Sequence, residues 1–166
     1  MQYITITDYL LLPFYIFIVF IVAVYFRNKY YNEKHPLRKY FMWAFGLKIF
    51  GGIFVGLIYQ YYYGGGDTFN YWDHSLIINS SLPDSFSTWL KLITSSADFY
   101  DTDVFPYTSK MLWYNSQADY FIPQVGAFLG LFTLNTYLPV AVLFAALSFI
   151  GIWKLNIVCN LFLVSW

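Results

Sequence analysis

From Tyr9 to Phe26 the chain has no charge and no polar side chain other than tyrosine. About 18 residues at roughly 1.5 Å each reach some 27 Å, enough to cross the hydrocarbon core of a bilayer. Pro13 falls near the start of the run, where a missing N–H costs a helix little. A transmembrane helix is therefore expected over Tyr9–Phe26. The rest of the composition agrees. Hydrophobic residues make up 59% of the 166-residue chain and charged residues only 11%, against about 25% charged in soluble domains. The sequence predicts an all-α, polytopic integral membrane protein of about four membrane segments, with the lipid bilayer as its first partner.

Orientation follows from charge. Arg27, Lys29, Lys34, Arg38 and Lys39 crowd the connector after the first helix, against the single acid Glu33. Cationic connectors stay in the cytoplasm, which puts the N-terminus outside. Met1–Thr5 lacks the positive charge of a secretory leader, so the first helix is expected to be retained. A second helix is expected over Tyr40–Tyr59, returning outward. Its one charge, Lys48, lies a turn inside if the helix starts near Ala44, and would then snorkel to the cytoplasmic headgroups. Gly52 and Gly56, and later Gly126 and Gly130, form small-xxx-small faces on which another membrane helix can pack. These faces are the expected contacts with membrane protein partners.

Residues 60 to about 124 are then external. They hold Asp67, Asp73, Asp84, Asp98, Asp101, Asp103 and Asp119 against only Lys91 and Lys110. Phe86, Trp89, Leu90, Ile93 and Ala97 recur at helical spacing, and Pro83-Asp84-Ser85 supplies start signals. A helix lying on the membrane surface is expected over Ser85–Ala97, with a weaker one over Asn70–Leu82. Residues 121–134 are apolar but short, and Asn135–Pro139 interrupts them. Two arrangements fit. In the favoured one, 121–134 crosses inward and a further helix returns outward from Pro139 to about Val158. In the other, 121–134 is re-entrant or interfacial and only the second piece spans. The chain thus divides into 1–59 (two membrane helices and their basic connector), 60–120 (external loop with interfacial helices) and 121–166 (a membrane hairpin, expected to continue beyond the chain).

The chemistry is expected where the second helix meets the loop. Tyr59, Tyr61, Tyr62 and Tyr63 are rings suited to a membrane–water boundary. Gly64, Gly65 and Gly66 let the backbone bend or lie against a ligand, and Asp67 follows at once. A carboxylate at the membrane face can take a proton from an acceptor hydroxyl while a lipid-linked donor lies in the bilayer. Gly-Asp is equally ordinary turn chemistry. Asp73, His74 and Lys110 are the remaining substrate-binding candidates, Lys110 as a cation for a phosphate. Asp101-Thr102-Asp103 has a DxD form, but two acids do not hold a metal without further ligands, and surface acidity is the simpler reading. No P-loop, Gly-x-Ser-x-Gly or Cys/His metal spacing occurs, so no metal and no cofactor are expected. The single Cys159 reads as a packing residue. Five of the nine cations lie in one short connector, the arrangement of a topology signal and not of a nucleic-acid groove.

The order of these parts, with Tyr-Tyr-Gly-Gly-Gly-Asp-Thr-Phe (Tyr62–Phe69) and the run Leu143–Trp153, resembles the amino-terminal half of bacterial membrane proteins of the GT-C glycosyltransferase kind. That resemblance implies a location in the bacterial cytoplasmic membrane and a sugar donor linked to polyprenyl phosphate. It also implies Asp67 as the catalytic base in an external loop, with Gly64–Gly66 shaping the donor site. In this sequence the acid follows the second helix instead of the first, and Thr68 stands where a second acid is usual. A different class of function also fits: a non-catalytic membrane subunit of an envelope or secretion complex. A transporter ranks third, since few charges lie deep in the spans.

Overall fold

The computed structural model describes residues 3–164, and side chains through Leu155; Cys159 lies outside the described side chains. Seven α-helices follow in order: α1 (Ile6–Tyr30), α2 (Arg38–Ile58), α3 (Asp67–Ser80), α4 (Phe86–Thr94), α5 (Phe105–Thr108), α6 (Gln117–Phe132) and α7 (Tyr137–Val164). No strand occurs among the described residues. The all-α reading holds, and α1, α2 and α7 are long and apolar enough to cross a membrane. The core of α1, Ile16–Val24, is rich in β-branched residues that favour strands in water. In lipid only a helix satisfies the backbone within one segment. Leu10, Phe14, Phe17 and Val22 point outward from α1, and only Asp8, Val19 and Ala23 are buried.

The three long helices form one bundle with α7 between its neighbours. At one end the Leu138 N–H donates to Asp8 Oδ1 at 2.8 Å; at the other the Trp153 indole donates to the Tyr31 hydroxyl at 2.6 Å. So α7 runs parallel to α1 and antiparallel to α2. The returning direction expected for the segment from Pro139 to Val158 is therefore reversed. Residues 133–136 turn at the end that carries the N-terminus of α1, not at the basic connector. The favoured hairpin needs that turn at the other end, and α6 is not among the described helices long and apolar enough to cross a membrane. Its 16 residues measure about 24 Å, and it lies along α3.

Small residues set the α2–α7 contact. A Cβ on Gly52 would lie 3.1 Å from the Ala145 methyl, and one on Gly56 would lie 2.8 Å from the Tyr137 ring. Near the connector, aromatic rings fill the space. Phe41, Phe45, Phe149 and Trp153 pack with centroids 5.1–5.4 Å apart, and each such pair adds about 0.5–1.5 kcal/mol beyond burial. Arg38 closes the connector by donating to the Tyr31 carbonyl and the Asn28 amide oxygen.

At the opposite end α3 and α6 run side by side in one direction. Tyr71 bonds Asp119, Ser75 bonds the Pro123 carbonyl and Asn79 bonds the Ala127 carbonyl, a constant offset of 48 residues. A Cβ on Gly126 would collide with the Ser75 hydroxyl, and one on Gly130 would lie 2.7 Å from Asn135 Oδ1. Both glycine faces are thus filled within the chain, and the partner contacts expected through Gly52/Gly56 and Gly126/Gly130 are corrected to internal packing. Asn79 ties this layer together. Its amide also donates to Asn135 Oδ1 at 2.7 Å and accepts from the Trp89 indole at 3.1 Å. Ser85 caps α4 as its start signals imply, but the helix ends at Thr94. Its most buried residue is Leu92, while Phe86 and Leu90 of the expected stripe are exposed.

Candidate functional site

The tyrosine and glycine stretch works as a junction. Helical winding continues past Ile58 through a wider turn, Tyr59–Tyr63, and stops at Gly64, whose φ of 67° is left-handed. Gly66 sits at φ 133° under the Tyr59 ring, where any Cβ would collide. Only glycine takes that conformation without strain. Asp67 then opens α3. The next residues anchor it: the Thr68 hydroxyl meets the Tyr137 hydroxyl at 2.9 Å, and the Phe69 ring stacks on Tyr3 at 4.3 Å.

Between α2 and α7 on one side and α3 and α6 on the other runs a groove of about 510 Å³, within the usual range for ligand sites. Its walls are mostly apolar. The polar side chains reaching it are Lys48, Thr68, Tyr71, Ser75, Tyr137 and Ser148. Asp67 is exposed and stands beside Thr68 and one turn before Tyr71, without itself lining the groove. Desolvation, the hydrogen bond to Asp119 and the charge of Asp67 raise the Tyr71 pKa, so its hydroxyl stays protonated.

Lys48 is placed differently from expectation. The helix starts at Arg38, not near Ala44, which puts Lys48 about 15 Å along its axis. It is half-buried, lines the inner part of the groove, and has no hydrogen-bond or ion-pair partner among the described residues.

A second cavity, of about 480 Å³, lies on another side of α3. It gathers Asn70, Asp73, His74 and Lys110 with Leu76, Ile77, Ser80 and Leu112. Three of the expected binding residues therefore meet, apart from Asp67. Asp73 Oδ2 accepts from the Tyr3 hydroxyl at 2.8 Å. His74 is 3% exposed, and its Nε2 accepts the Leu112 N–H at 3.1 Å. Nε2 therefore carries no proton, and the neutral ring holds its hydrogen on Nδ1, which has no partner among the described residues. Burial lowers the His74 pKa and outweighs the upward pull of Asp73.

Gly64, Gly65 and Gly66 line neither space. Asp101 and Asp103 clasp Lys91, whose Nζ lies 2.7 Å from Asp103 Oδ2 and 3.4 Å from Asp101 Oδ2. The backbone N–H of Asp103 and this lysine lower the Asp101 pKa. No cluster of three metal-ligating side chains occurs among the described residues. Asp8 and Asn79 were not singled out in the sequence: Asp8 shows there only as the capping-box partner of Thr5, and the bonds from Leu138 to Asp8 and from Asn79 to the Ala127 carbonyl join residues 130 and 48 apart. The fold and its three long apolar helices define a helical membrane protein. No protein-family model, curated protein or solved structure matches the chain, so its function is argued from the residues themselves.

Proposed function

We propose that this chain forms the amino-terminal part of a GT-C-like glycosyltransferase of a bacterial cytoplasmic membrane, with α3 to α6 on the outer side. The basic connector at Arg27–Lys39 supports that orientation. A prenyl chain lies in the groove that α2 and α7 form with α3 and α6, and its phosphate-linked sugar reaches toward Asp67. Asp67 takes the proton of the acceptor hydroxyl as that oxygen bonds to the anomeric carbon. The bond from the anomeric carbon to the phosphate oxygen breaks, and the electron pair leaves on polyprenyl phosphate. The observation that carries this reading is the place of Asp67: an exposed carboxylate at the start of α3, one residue before the groove-lining Thr68 and one turn before Tyr71.

The experiment is transfer of radiolabelled sugar from polyprenyl-phosphate donors in membranes of cells making the whole protein. Asp67→Asn is expected to abolish transfer with membrane insertion unchanged, while Asp67→Glu retains part of it. Full transfer by Asp67→Asn would remove the carboxylate from the mechanism. Cysteine labelling at position 67 from the cytosolic side alone would overturn the orientation.

A further inference from the structure

The second cavity presents an unusual balance of groups. His74 Nδ1–H is a buried donor without a partner among the described residues. Such an orphan costs about 1–3 kcal/mol, and its ring is part of the cavity wall. Asp73 uses one carboxylate oxygen for Tyr3 and has Oδ1 to spare, and the Asn70 amide and the Lys110 ammonium make no side-chain hydrogen bond among the described residues. Leu76, Ile77 and Leu112 give the cavity an apolar wall.

These groups exclude simple ions. A phosphate next to Asp73 meets a like charge, and a metal ion next to Lys110 meets another. A neutral polyol suits both, because each hydroxyl donates to a carboxylate and accepts from an ammonium or amide N–H. Its C–H faces can cover the leucine and isoleucine side chains. We propose that the cavity lined by Asn70, Asp73, His74 and Lys110 binds a neutral saccharide. The proposal stands on this cavity alone and does not depend on Asp67.

The chain has two histidines, His35 and His74, so the intact protein labelled with ¹⁵N-histidine in nanodiscs gives two ring systems, and His35→Gln assigns them. The probes are methyl glucoside, N-acetylglucosamine, inorganic phosphate and magnesium chloride. At least one of the two sugars is expected to shift the His74 Nδ1–H resonance saturably, with Kd on the order of 1 mM. Phosphate and magnesium leave it in place. Lys110 is exposed, so Lys110→Met tests the site without risk to the core and is expected to weaken binding about tenfold, as is Asp73→Asn. Asp67→Asn leaves the binding unchanged. Absence of a shift with both sugars at about ten times that concentration overturns the proposal, as does a shift produced equally by phosphate. Neither result bears on transfer by Asp67.

Discussion

Asp8 is 1% exposed and serves two helix starts at once. Its Oδ2 accepts from the Thr5 N–H at 2.9 Å and the Thr5 hydroxyl at 2.8 Å; its Oδ1 accepts from the Leu138 N–H at 2.8 Å. The first residues of a helix have N–H groups without an intrahelical acceptor. At α7, Pro139 has no N–H to satisfy and Asp8 satisfies Leu138. The carboxylate also sits against the positive ends of two parallel helix dipoles, each worth about 0.3–1 kcal/mol and up to ~2 in buried geometry. Asp8→Ala removes both dipole interactions and leaves the Leu138 and Thr5 N–H groups unsatisfied, at about 1–3 kcal/mol each. The sum is roughly 3–8 kcal/mol.

Thermal unfolding in detergent measures this. At roughly 2–4 °C per kcal/mol for a chain of this size, Asp8→Ala is expected to lower Tm by about 6 °C or more. Asp8→Asn keeps the shape and one acceptor oxygen but turns an NH₂ toward a donor, so it should fall between Ala and the parent protein. Glu33→Gln, in the exposed connector, should stay within about 1 °C. A Tm for Asp8→Ala indistinguishable from that of Glu33→Gln would refute the two-helix role of this carboxylate.

Gly130→Ala should destabilise by about 1–3 kcal/mol, because its Cβ enters the Asn79–Asn135 contact at 2.7 and 2.9 Å; Gly51→Ala meets no atom within 4 Å and should be neutral or slightly stabilising. Unequal melting temperatures test that contrast, and equal ones refute it. Asn79→Leu strands the Trp89 indole N–H and the Asn135 side chain, and should cost about 2–4 kcal/mol, read as the same Tm shift. The pH dependence follows from His74. Its folded pKa is lowered by burial, so the unfolded chain binds more protons near neutrality and stability rises with pH. The contribution is complete above the ordinary histidine value near 6.5 and is lost as pH falls below it. His74→Gln should flatten the Tm profile between about pH 7 and 5, and an unchanged profile refutes the assignment.

The sequence reveals the parts whose signals are local. α1 and α2 declare themselves by length and apolarity, and the connector by its cations. The existence of α7 was equally plain, but its direction was not. The turn at 133–136 carries no charge, so no positive-inside signal acts there, and the contacts that accompany the observed direction, such as the Leu138–Asp8 hydrogen bond, join residues 130 apart. Gly126 and Gly130 announce a close helix contact without naming its occupant, which proves to be α3 of the same chain. The depth of Lys48 turns on where the helix begins: a start near Ala44 would leave it one turn in, and the start at Arg38 carries it deeper. Of the site, Asp73, His74 and Lys110 were named as residues, but their meeting in one cavity needed the fold of the 110–113 segment against α3.

The helical period of α3 relates the two cavities. At about 100° per residue, Thr68, Tyr71 and Ser75 project to one side and Asn70, Asp73 and Ile77 to the other, as the linings of the groove and the cavity require. Asp67 falls about midway, at the helix start. A lipid-linked sugar emerging from the groove and a saccharide held in the cavity would therefore approach the same carboxylate from opposite sides. Under that arrangement Lys110→Met, remote from the groove, should raise the acceptor KM about tenfold with kcat little changed, because it weakens ground-state and transition-state binding alike. Asp67→Asn should lower kcat with KM preserved. A Lys110→Met enzyme whose loss fell entirely on kcat would show that the cavity does not hold the acceptor, even if it binds sugar.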